Sequence, residues 1–401
     1  MGSKSGIDPA DWHYLPFSEV RVADFTRIWA GPHTTVWLAT LGAEVIRVES
    51  MRRLDSQRVF MPSTRAGSRD TDPNKNPLFV PLNYGKKSCT LDLTEPEAAG
   101  IARDLVRISD VVVENYSTGI MERFGLDYES LKKVRPDIIM LSTSGFGRTG
   151  PFKHFVAYAA AVHAFTGTAS ITGYPGGSPS LTSPGWGDIV AAQAGAFAIM
   201  AAMHHRSRTG EGQHIDLSMS EVLISFIGNA IMDFTMNRRE GNPRGNQHDI
   251  MAPHGCYPCK GDDKWIAIAV STDEDWQALR RVMGDPDWAR EERFSDALSR
   301  WQNRDALDVL IGQWTRDISC QEATRLLQQA GVAAGPSQNG AELAHDEQLK
   351  QRRFLVDLEQ PQIELGHFPR LPIVIDDKPV KSYRPAPLLG EHNEYVLQEL
   401  L

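Results

Sequence analysis

The chain has 401 residues, of which 41% are hydrophobic and 23% charged, and its formal net charge is −9. This composition is typical of a globular protein of roughly two or three domains, and it excludes a disordered, collagen-like or coiled-coil chain. The acidic balance lacks the basic stripe of a nucleic-acid-binding protein, and four cysteines are too few for a disulfide framework.

The sequence also argues against export and membrane insertion. The first six residues, Met-Gly-Ser-Lys-Ser-Gly, contain no apolar core of a secretory signal. The most apolar stretch, residues 190–203, is too short to span a bilayer. We therefore expect a cytoplasmic protein that binds neither a membrane nor nucleic acid.

The first half of the chain alternates strand and helix patterns. Strands are predicted at residues 20–25, 44–48, 88–93, 111–113 and 137–141. Helices are predicted between them, at residues 34–41 and from Pro96, where proline and acidic residues occupy a first turn. Strands separated by helices predict an α/β fold with a doubly wound, Rossmann-like parallel sheet.

The second half departs from this pattern. A stretch rich in Gly, Ser, Thr and Pro (residues 166–187) precedes an alanine-rich helix at residues 189–205, and the composition changes again after about residue 230. We interpret this as a large domain over residues 1–225, a smaller α+β domain over residues 226–335, and a return to the large domain over residues 336–401.

Two kinds of cofactor site are disfavoured by the residue patterns. Cys256 and Cys259 form a C-x-x-C motif beside His254, but a structural zinc site needs four ligands and no second pair stands at a suitable spacing. No G-x-G-x-x-G follows the first strands, where Ala30-Gly31-Pro32 stands instead, so nicotinamide and flavin cofactors are not expected. The residue patterns therefore favour neither a zinc site nor a nicotinamide or flavin cofactor.

Asp188 is the carboxylate that stands out. It follows the glycine-rich segment Gly185-Trp186-Gly187 and precedes the alanine-rich helix. Aspartate at this place is typical of a helix N-cap, a purely structural role. The alternative is a nucleophilic carboxylate, whose glycine neighbours admit a bulky acyl group and whose negative charge the helix N-terminus stabilises.

Several short segments occur in an order that suggests a known family. They lie at residues 22–26, 30–32, 41–49, 83–88, 114–116, 187–188, 208–213 and 387–392. Together they cover nearly the whole chain and resemble the class III CoA-transferases, the family of formyl-CoA transferase and carnitine CoA-transferase. The resemblance implies a homodimer of interlocked chains that acts on an acyl-CoA and a carboxylic acid. It also implies no cofactor beyond coenzyme A as a substrate.

The resemblance also implies a mechanism. In that family the aspartate at the position of Asp188 attacks an acyl-CoA thioester and forms a mixed anhydride. The released CoA thiolate converts the anhydride into an aspartyl-CoA thioester, and an acceptor acid reverses these steps. A carboxylate can act as such a nucleophile when it is desolvated and aligned.

Further site residues follow from the same resemblance. The residues expected to contact CoA or the substrate are Ile28, Trp29, Ala30, Arg52, Lys86, Asn115, Tyr116, Arg123, Ser144, Tyr158, Gly187 and His248.

The chain also departs from formyl-CoA transferase. Trp29 replaces a glutamine, Ser144 replaces a lysine, and residues 245–254 replace a glycine-rich loop. The arginine expected just after Glu49 is displaced, so that Arg52 stands beside the matching position. These changes disfavour formyl-CoA and oxalate and suggest a larger, more apolar acid, with its polar end near His248 or Arg244. A dicarboxylic donor such as succinyl-CoA, with an aryl- or alkyl-substituted acceptor, is the expected pairing.

Two alternatives remain at this stage. Racemases of α-methylacyl-CoA share the fold but use a histidine where this chain has Tyr158. A non-catalytic subunit of a CoA-transferase complex would be marked by loss of the aspartate, which is present as Asp188.

Overall fold

The computed structural model of the chain describes residues 15–59, 72–183, 185–364, 367–375, 378–379 and 383–401. The N-terminal six residues considered above lie outside these ranges. The described residues form two compact units. Where described, the first comprises Met1–Ala169, Leu181–Glu240 and Glu347–Leu401, and the second comprises Ser170–Ser180 and Gly241–Asp346.

A parallel sheet organises the first unit. Within the described residues its six strands are β1 (Arg21–Asp24), β2 (Glu44–Glu49), β3 (Lys87–Thr90), β4 (Val111–Glu114), β5 (Ile139–Ser144) and β6 (His214–Ser218). Their order is β3-β2-β1-β4-β5-β6, and every neighbouring pair is parallel. This is the strand order of a Rossmann-like sheet, so the predicted α/β fold with a parallel sheet is confirmed.

Helices cover both faces of this sheet. They are α1 (Ala30–Thr40), α2 (Ser56–Val59), α3 (Pro96–Arg107), α4 (Ile120–Arg123), α5 (Tyr128–Val134), α6 (Ala159–Phe165), α7 (Trp186–Thr209), α8 (Met219–Ser225) and α9 (Gly228–Asn237). Val111 and Val113 pack in the core with α1 and α7, whereas Val112 packs on the other face with α3 and α5. The alternation follows from the two-residue period of a strand, and burial on both faces explains why the first three residues of β4 are all valine.

The second unit is built on an antiparallel sheet. Its strands β7 (His254–Pro258), β8 (Trp265–Ala269) and β9 (Ala333–Pro336) pair in chain order. The helices that follow are α10 (Asp273–Val282), α11 (Ala297–Gln302), α12 (Arg304–Thr315), α13 (Cys320–Gln329) and α14 (Gly340–Ala344). Ile266, Ile268, Trp276 and Leu307 lie in its core.

The C-terminal part of the first unit contains short elements. They are α15 (Glu347–Gln351), β10 (Leu355–Asp357), β11 (His367–Pro369), β12 (Val374–Ile375), β13 (Lys378–Pro379) and a final π-helical segment (Tyr395–Leu400).

The units divide later in the chain than the sequence predicts. The predicted boundaries follow residues 225 and 335, whereas the compact units divide after Glu240 and Asp346. Helix α9 continues the first unit directly after α8, which moves the first boundary. The short segment Ser170–Ser180 also belongs to the second unit, although nothing in its composition predicts this.

Helix α7 is longer than the sequence predicts, because it starts at Trp186 and ends at Thr209. Its length and composition alone would allow it to cross a membrane. However, Val190, Ala191 and Ile199 pack against α1 and the sheet in the core of the first unit. This is the behaviour of a core helix in a globular fold.

A buried ion pair fixes the carboxyl end of β1. Lys86 Nζ lies 3.0 Å from Asp24 Oδ2, and both side chains are fully buried. Lys86 also donates to the carbonyl of Pro32 and to Asn83 Oδ1, while Asp24 accepts from Thr26 and Thr35. Burial by itself would raise the pKa of Asp24, but Lys86 and Arg47 hold it below its usual range.

We predict that Lys86→Met destabilises the fold by about 3–5 kcal/mol, because it leaves the buried Asp24 carboxylate without its cation. Lys87→Met is the matched control. Lys87 forms a partly exposed pair with Glu44, whose loss should cost no more than about 1 kcal/mol. Urea unfolding of both variants measures the difference. Equal losses would mean that the Asp24–Lys86 pair contributes no more than a surface pair.

Candidate active site

A cleft of about 1030 Å³ opens at the carboxyl ends of the parallel strands in the first unit. Its lining includes segments that directly follow four of the strands, at residues 26–28, 50–56, 91–94 and 115–118. The carboxyl edge of a parallel α/β sheet is the usual place for a ligand, because the loops that follow the strands converge there.

The cleft brings together half of the residues predicted for substrate binding. The predicted residues that line it are Ile28, Arg52, Asn115, Tyr116, Ser144 and Tyr158. Tyr158 is the N-cap of α6 and is 69% exposed. Ser144 ends β5, and its Oγ is buried with no hydrogen-bond partner among the described residues. The Tyr158 side chain is therefore accessible to a ligand, whereas the Ser144 Oγ is enclosed by protein.

The charges around the cleft are unevenly compensated. Its cations include Arg27, Arg52, Arg53 and Lys153. The acidic Glu49, Asp55 and Asp92 also line it. Buried arginines neutralise the first two: Arg58 binds Glu49 at 2.7 Å through two nitrogens, and Arg47 Nη2 lies 2.5 Å from Asp55 Oδ2. Asp92 lies 3.7 Å from the exposed Arg52, so the cations of the cleft still outnumber its carboxylates. This arrangement favours an anionic ligand.

The turn between β1 and α1, residues 26–30, is held from two sides. The Asn115 side chain accepts from the Arg27 N–H at 2.8 Å and donates to the Arg27 carbonyl at 2.7 Å. Asp55 Oδ2 accepts from the Ile28 N–H at 3.0 Å. Ile28 has φ +68°, a left-handed conformation that is strained for a β-branched residue. These contacts from outside the turn maintain the strained backbone.

Asp188 lies at the point where two helices begin. Gly185 is the N-cap of α7, and Asp188 is therefore the third helical residue. The N-cap interpretation of Asp188 is wrong because the helix starts three residues earlier than the cap would require. The N–H of Ala30, the first residue of α1, is directed at the Asp188 carboxylate and favours its ionised form.

The electrostatics at Asp188 are opposed. Burial raises the pKa of the Asp188 carboxyl to about 6. The N–H groups of Ala30 and of Asp188 itself act in the opposite direction and lower this pKa. The N-termini of α1 and α7 also favour a negative charge here. Burial has the larger effect and raises the pKa, but a pKa of about 6 still lies below neutral pH. The carboxylate is therefore ionised at pH 7 although it is poorly solvated.

Close packing surrounds the start of α7. A Cβ added to Gly185 would lie 3.0 Å from Cζ2 of Trp29, so the half-buried indole ring lies directly against this glycine. A Cβ added to Gly187 would lie 3.3 Å from a methyl group of Leu223. The structure therefore brings the predicted residues Trp29, Ala30 and Gly187 to the nucleophile candidate, adjacent in sequence to the cleft-lining Ile28.

Three predicted contacts lie elsewhere. Lys86 has no exposed surface and is bound to Asp24, which does not fit direct contact with CoA. Arg123 is exposed at the end of α4 but does not line the cleft, although its neighbours Ile120 and Phe124 do. His248 belongs to the second unit, where its ring lies 5.1 Å from that of His254, and Arg244 of that unit pairs with Asp249.

Sequence reasoning missed Arg27 and Asp55. Arg27 lines the cleft and Asp55 both lines it and binds the turn. The available signal was their position, since each follows the carboxyl end of a predicted strand. In the described part of the chain, no cluster of three or more His, Cys, Asp or Glu side chains could hold a metal ion.

We predict that Asp188→Asn raises the midpoint of thermal unfolding at pH 7.5. The folded pKa of about 6 lies above the ordinary 3.8, so ionisation destabilises the fold increasingly as pH rises from about 3.8 through 6. Removing the charge should stabilise the fold by about 3 kcal/mol at pH 7.5 and by little below pH 4.

Asp127→Asn is the matched control, because Asp127 is the N-cap of α5 and asparagine caps a helix equally well. Its unfolding midpoint should hardly change. An Asp188→Asn midpoint equal to that of the wild type at pH 7.5 would contradict the desolvated state of this carboxylate.

Comparison with known proteins gives this site its context. Residues 17–393 match the model of CoA-transferase family III. The succinate–glutarate CoA-transferase of Agrobacterium fabrum is 33% identical over 385 residues, covering 96% of each chain. The succinyl-CoA:mesaconate CoA-transferase of Haloarcula hispanica is 34% identical over 392 residues, covering 95% of each chain.

A solved structure agrees with these matches. The crystal structure of a CaiB/BaiF family protein from Brucella suis is 31% identical, with a TM-score of 0.87, and the match covers 96% of this chain and 100% of that one. Since the family model spans most of the chain and both curated relatives exceed 30% identity, the chain belongs to CoA-transferase family III and is a CoA-transferase.

Proposed function

We propose that this enzyme moves CoA between carboxylic acids through covalent intermediates on Asp188. The observation that carries the proposal is the desolvated carboxylate at the meeting point of two helix N-termini, held by the Ala30 N–H beside the cleft-lining Ile28. A poorly solvated carboxylate is a stronger nucleophile than one in water, and helix N-termini stabilise the oxyanions that form during acyl transfer.

The reaction balances without another reagent. An Asp188 oxygen attacks the thioester carbonyl carbon and the C–S bond breaks. The CoA thiolate departs, and a mixed anhydride of Asp188 and the donor acid is formed. The thiolate then attacks the aspartyl carbonyl carbon and releases the donor acid. An acceptor carboxylate attacks the resulting aspartyl thioester, and the thiolate attacks the acyl carbon of the new anhydride. Asp188 is thereby regenerated as the new acyl-CoA forms.

The cleft is the proposed site for the nucleotide part of CoA. Arg27, Arg52, Arg53 and Lys153 supply cations for its phosphates. Tyr116 and Phe124 supply aromatic faces near them for the adenine. Arg123 is exposed one residue before Phe124, so a longer-range contact with a phosphate stays part of the proposal.

The proposed donor is succinyl-CoA. Succinate, glutarate and mesaconate, named in the two curated relatives, are all dicarboxylic acids. The Trp29 indole near Asp188 supports an acceptor with an apolar body. The homologues leave open which acceptor this chain uses, so the test includes dicarboxylic, alkyl-substituted and aryl-substituted acids.

We expect purified enzyme with succinyl-CoA to form a new thioester with at least one acid of this panel, measured by mass spectrometry. Asp188→Asn should lower the transfer rate by about four orders of magnitude or more, because an amide cannot form the anhydride. Hydroxylamine should trap a CoA-dependent adduct on Asp188 in the wild type only. Asp127→Asn serves again as the control and should keep full activity.

Transfer at the wild-type rate by Asp188→Asn would overturn the covalent mechanism. Exchange of the α-proton of a 2-methylacyl-CoA in deuterated water, with no transfer to any acid, would instead support the racemase alternative. That outcome would make Tyr158, which lines the cleft, the first residue to test.

The homodimer is also a proposal, and helix α9 supports it. None of the residues of this helix is buried, although several are large and apolar. The exposed fractions lie between 44% and 73% for Ile231, Met232, Phe234 and Met236. Phe226, just before the helix, is also exposed. An uncovered apolar helix of this kind is typical of a surface that a second chain covers.

A cytoplasmic location likewise stays a prediction.

We expect sedimentation velocity at micromolar concentration to give twice the chain mass of 44.5 kDa. Met236→Glu should weaken association, because it places a charge on the apolar helix. Leu298→Glu, at a comparably exposed apolar residue of the second unit, is the control and should associate like the wild type. A wild-type monomer under these conditions would overturn the proposal.

A further inference from the structure

We propose that Asp55 is a positioning residue for the reaction: its carboxylate holds the strained turn before α1 so that the Ala30 N–H stays directed at Asp188. The inference rests on the proposed function, since it concerns how the nucleophile is oriented. Asp55 does not touch Asp188, and we therefore assign it no catalytic role of its own.

The first step of the argument is the set of bonds that Asp55 makes. One oxygen, Oδ2, accepts from the Ile28 N–H at 3.0 Å and from Arg47 Nη2 at 2.5 Å. The other, Oδ1, accepts from the Gln57 N–H at 2.8 Å. The residue is only 4% exposed. Asp55 is therefore fixed on its own side before it binds the turn.

The second step is the rigidity of its anchor. Arg47 is 1% exposed, lies 3.6 Å from Glu49 and donates to Asn83 Oδ1. Asn83 in turn accepts from Lys86, which pairs with Asp24 at the end of β1. These contacts tie Asp55 to the sheet, and through Asp55 they fix Ile28, whereas Asn115 binds the turn at Arg27.

The third step is the strain in the turn. Ile28 needs its left-handed conformation for the chain to enter α1 with Ala30 as the first helical residue. A β-branched residue adopts this conformation only when its surroundings require it. The Ile28 N–H bonds to the Asp55 carboxylate, and charge-assisted hydrogen bonds are about twice as strong as neutral ones.

The last step connects the turn to the nucleophile. Trp29, next to Ile28, packs against Gly185 at the start of α7, and the N–H of Ala30, the following residue, favours the ionised form of Asp188. The charged groups that face Asp55 are Arg47 and Arg27, and the titratable ring beside Gly187 is that of the buried His163, whose pKa is lowered by burial. If the turn relaxes, the Ala30 N–H no longer favours the ionised form of Asp188.

The test compares Asp55→Ala, Asp55→Asn and the control Glu49→Gln. Glu49→Gln also removes a negative charge from the arginine cluster, but Glu49 has no hydrogen bond to the turn. In Asp55→Ala we expect the acidic limb of the kcat profile to move up by about one pH unit. We expect kcat to fall about tenfold or more, with a smaller change in KM for succinyl-CoA.

Asp55→Asn keeps an oxygen that can accept from the Ile28 N–H, so it should recover most of the acidic limb. Glu49→Gln should lower stability without moving that limb. Amide exchange of the peptide spanning residues 26–31 provides a readout that needs no activity. It should be faster in Asp55→Asn than in Glu49→Gln, because a neutral amide oxygen accepts a weaker hydrogen bond from the Ile28 N–H than a carboxylate does. This comparison remains measurable if Asp55→Ala fails to fold.

The outcomes separate the two proposals. If Asp188→Asn is inactive but Asp55→Ala keeps the wild-type acidic limb, only the positioning role is overturned. If Asp188→Asn keeps full transfer, the proposed function fails, and the exchange measurement still decides whether Asp55 holds the turn. Equal exchange in Asp55→Asn and Glu49→Gln would overturn that hold.

Discussion

The buried Asp24 carboxylate is the constraint on which the first unit depends. A charge without solvent must be surrounded by donors, and this requirement brings Lys86, Thr26 and Thr35 to the end of β1 from three places in the sequence. Thr35 lies on α1, so the same contacts fix where that helix begins. The direction of the Ala30 N–H follows from this arrangement, because Ala30 is the first residue of the helix.

Two opposing effects act on the pKa of the Asp188 carboxyl. Burial removes Asp188 from water and makes its charge costly, whereas two helix N-termini and the Ala30 N–H make the same charge favourable. Neither effect alone would serve acyl transfer. A fully solvated carboxylate is a weak nucleophile, and a buried one without donors would remain protonated at neutral pH. The geometry keeps the group ionised while leaving it little solvent to lose.

Local patterns were sufficient to predict the parallel sheet, because the periodicity of a strand or a helix depends only on residues that are close in the sequence. They failed where the decisive partner is distant. A lysine in a loop looks like a ligand contact until Asp24, 62 residues away, is seen beside Lys86. Asn115 lines the cleft, and its amide also binds the backbone of Arg27, 88 residues away, a contact that no local pattern predicts. The start of α7 was misjudged because a Gly-Trp-Gly sequence gives no strong start signal, so Asp188 looked like the cap.

The way the turn is held has an evolutionary consequence. Asp55 and Asn115 bind it through the N–H of Ile28 and through the N–H and carbonyl of Arg27, all of which are main-chain groups. Every residue type supplies a carbonyl, and every type except proline supplies an N–H. Side chains in the turn, Trp29 included, can therefore change during divergence while the backbone path is retained. In the proposed mechanism, substrate preference and nucleophile geometry depend on separate residues, which would let a single scaffold acquire new acids without rebuilding its reaction centre.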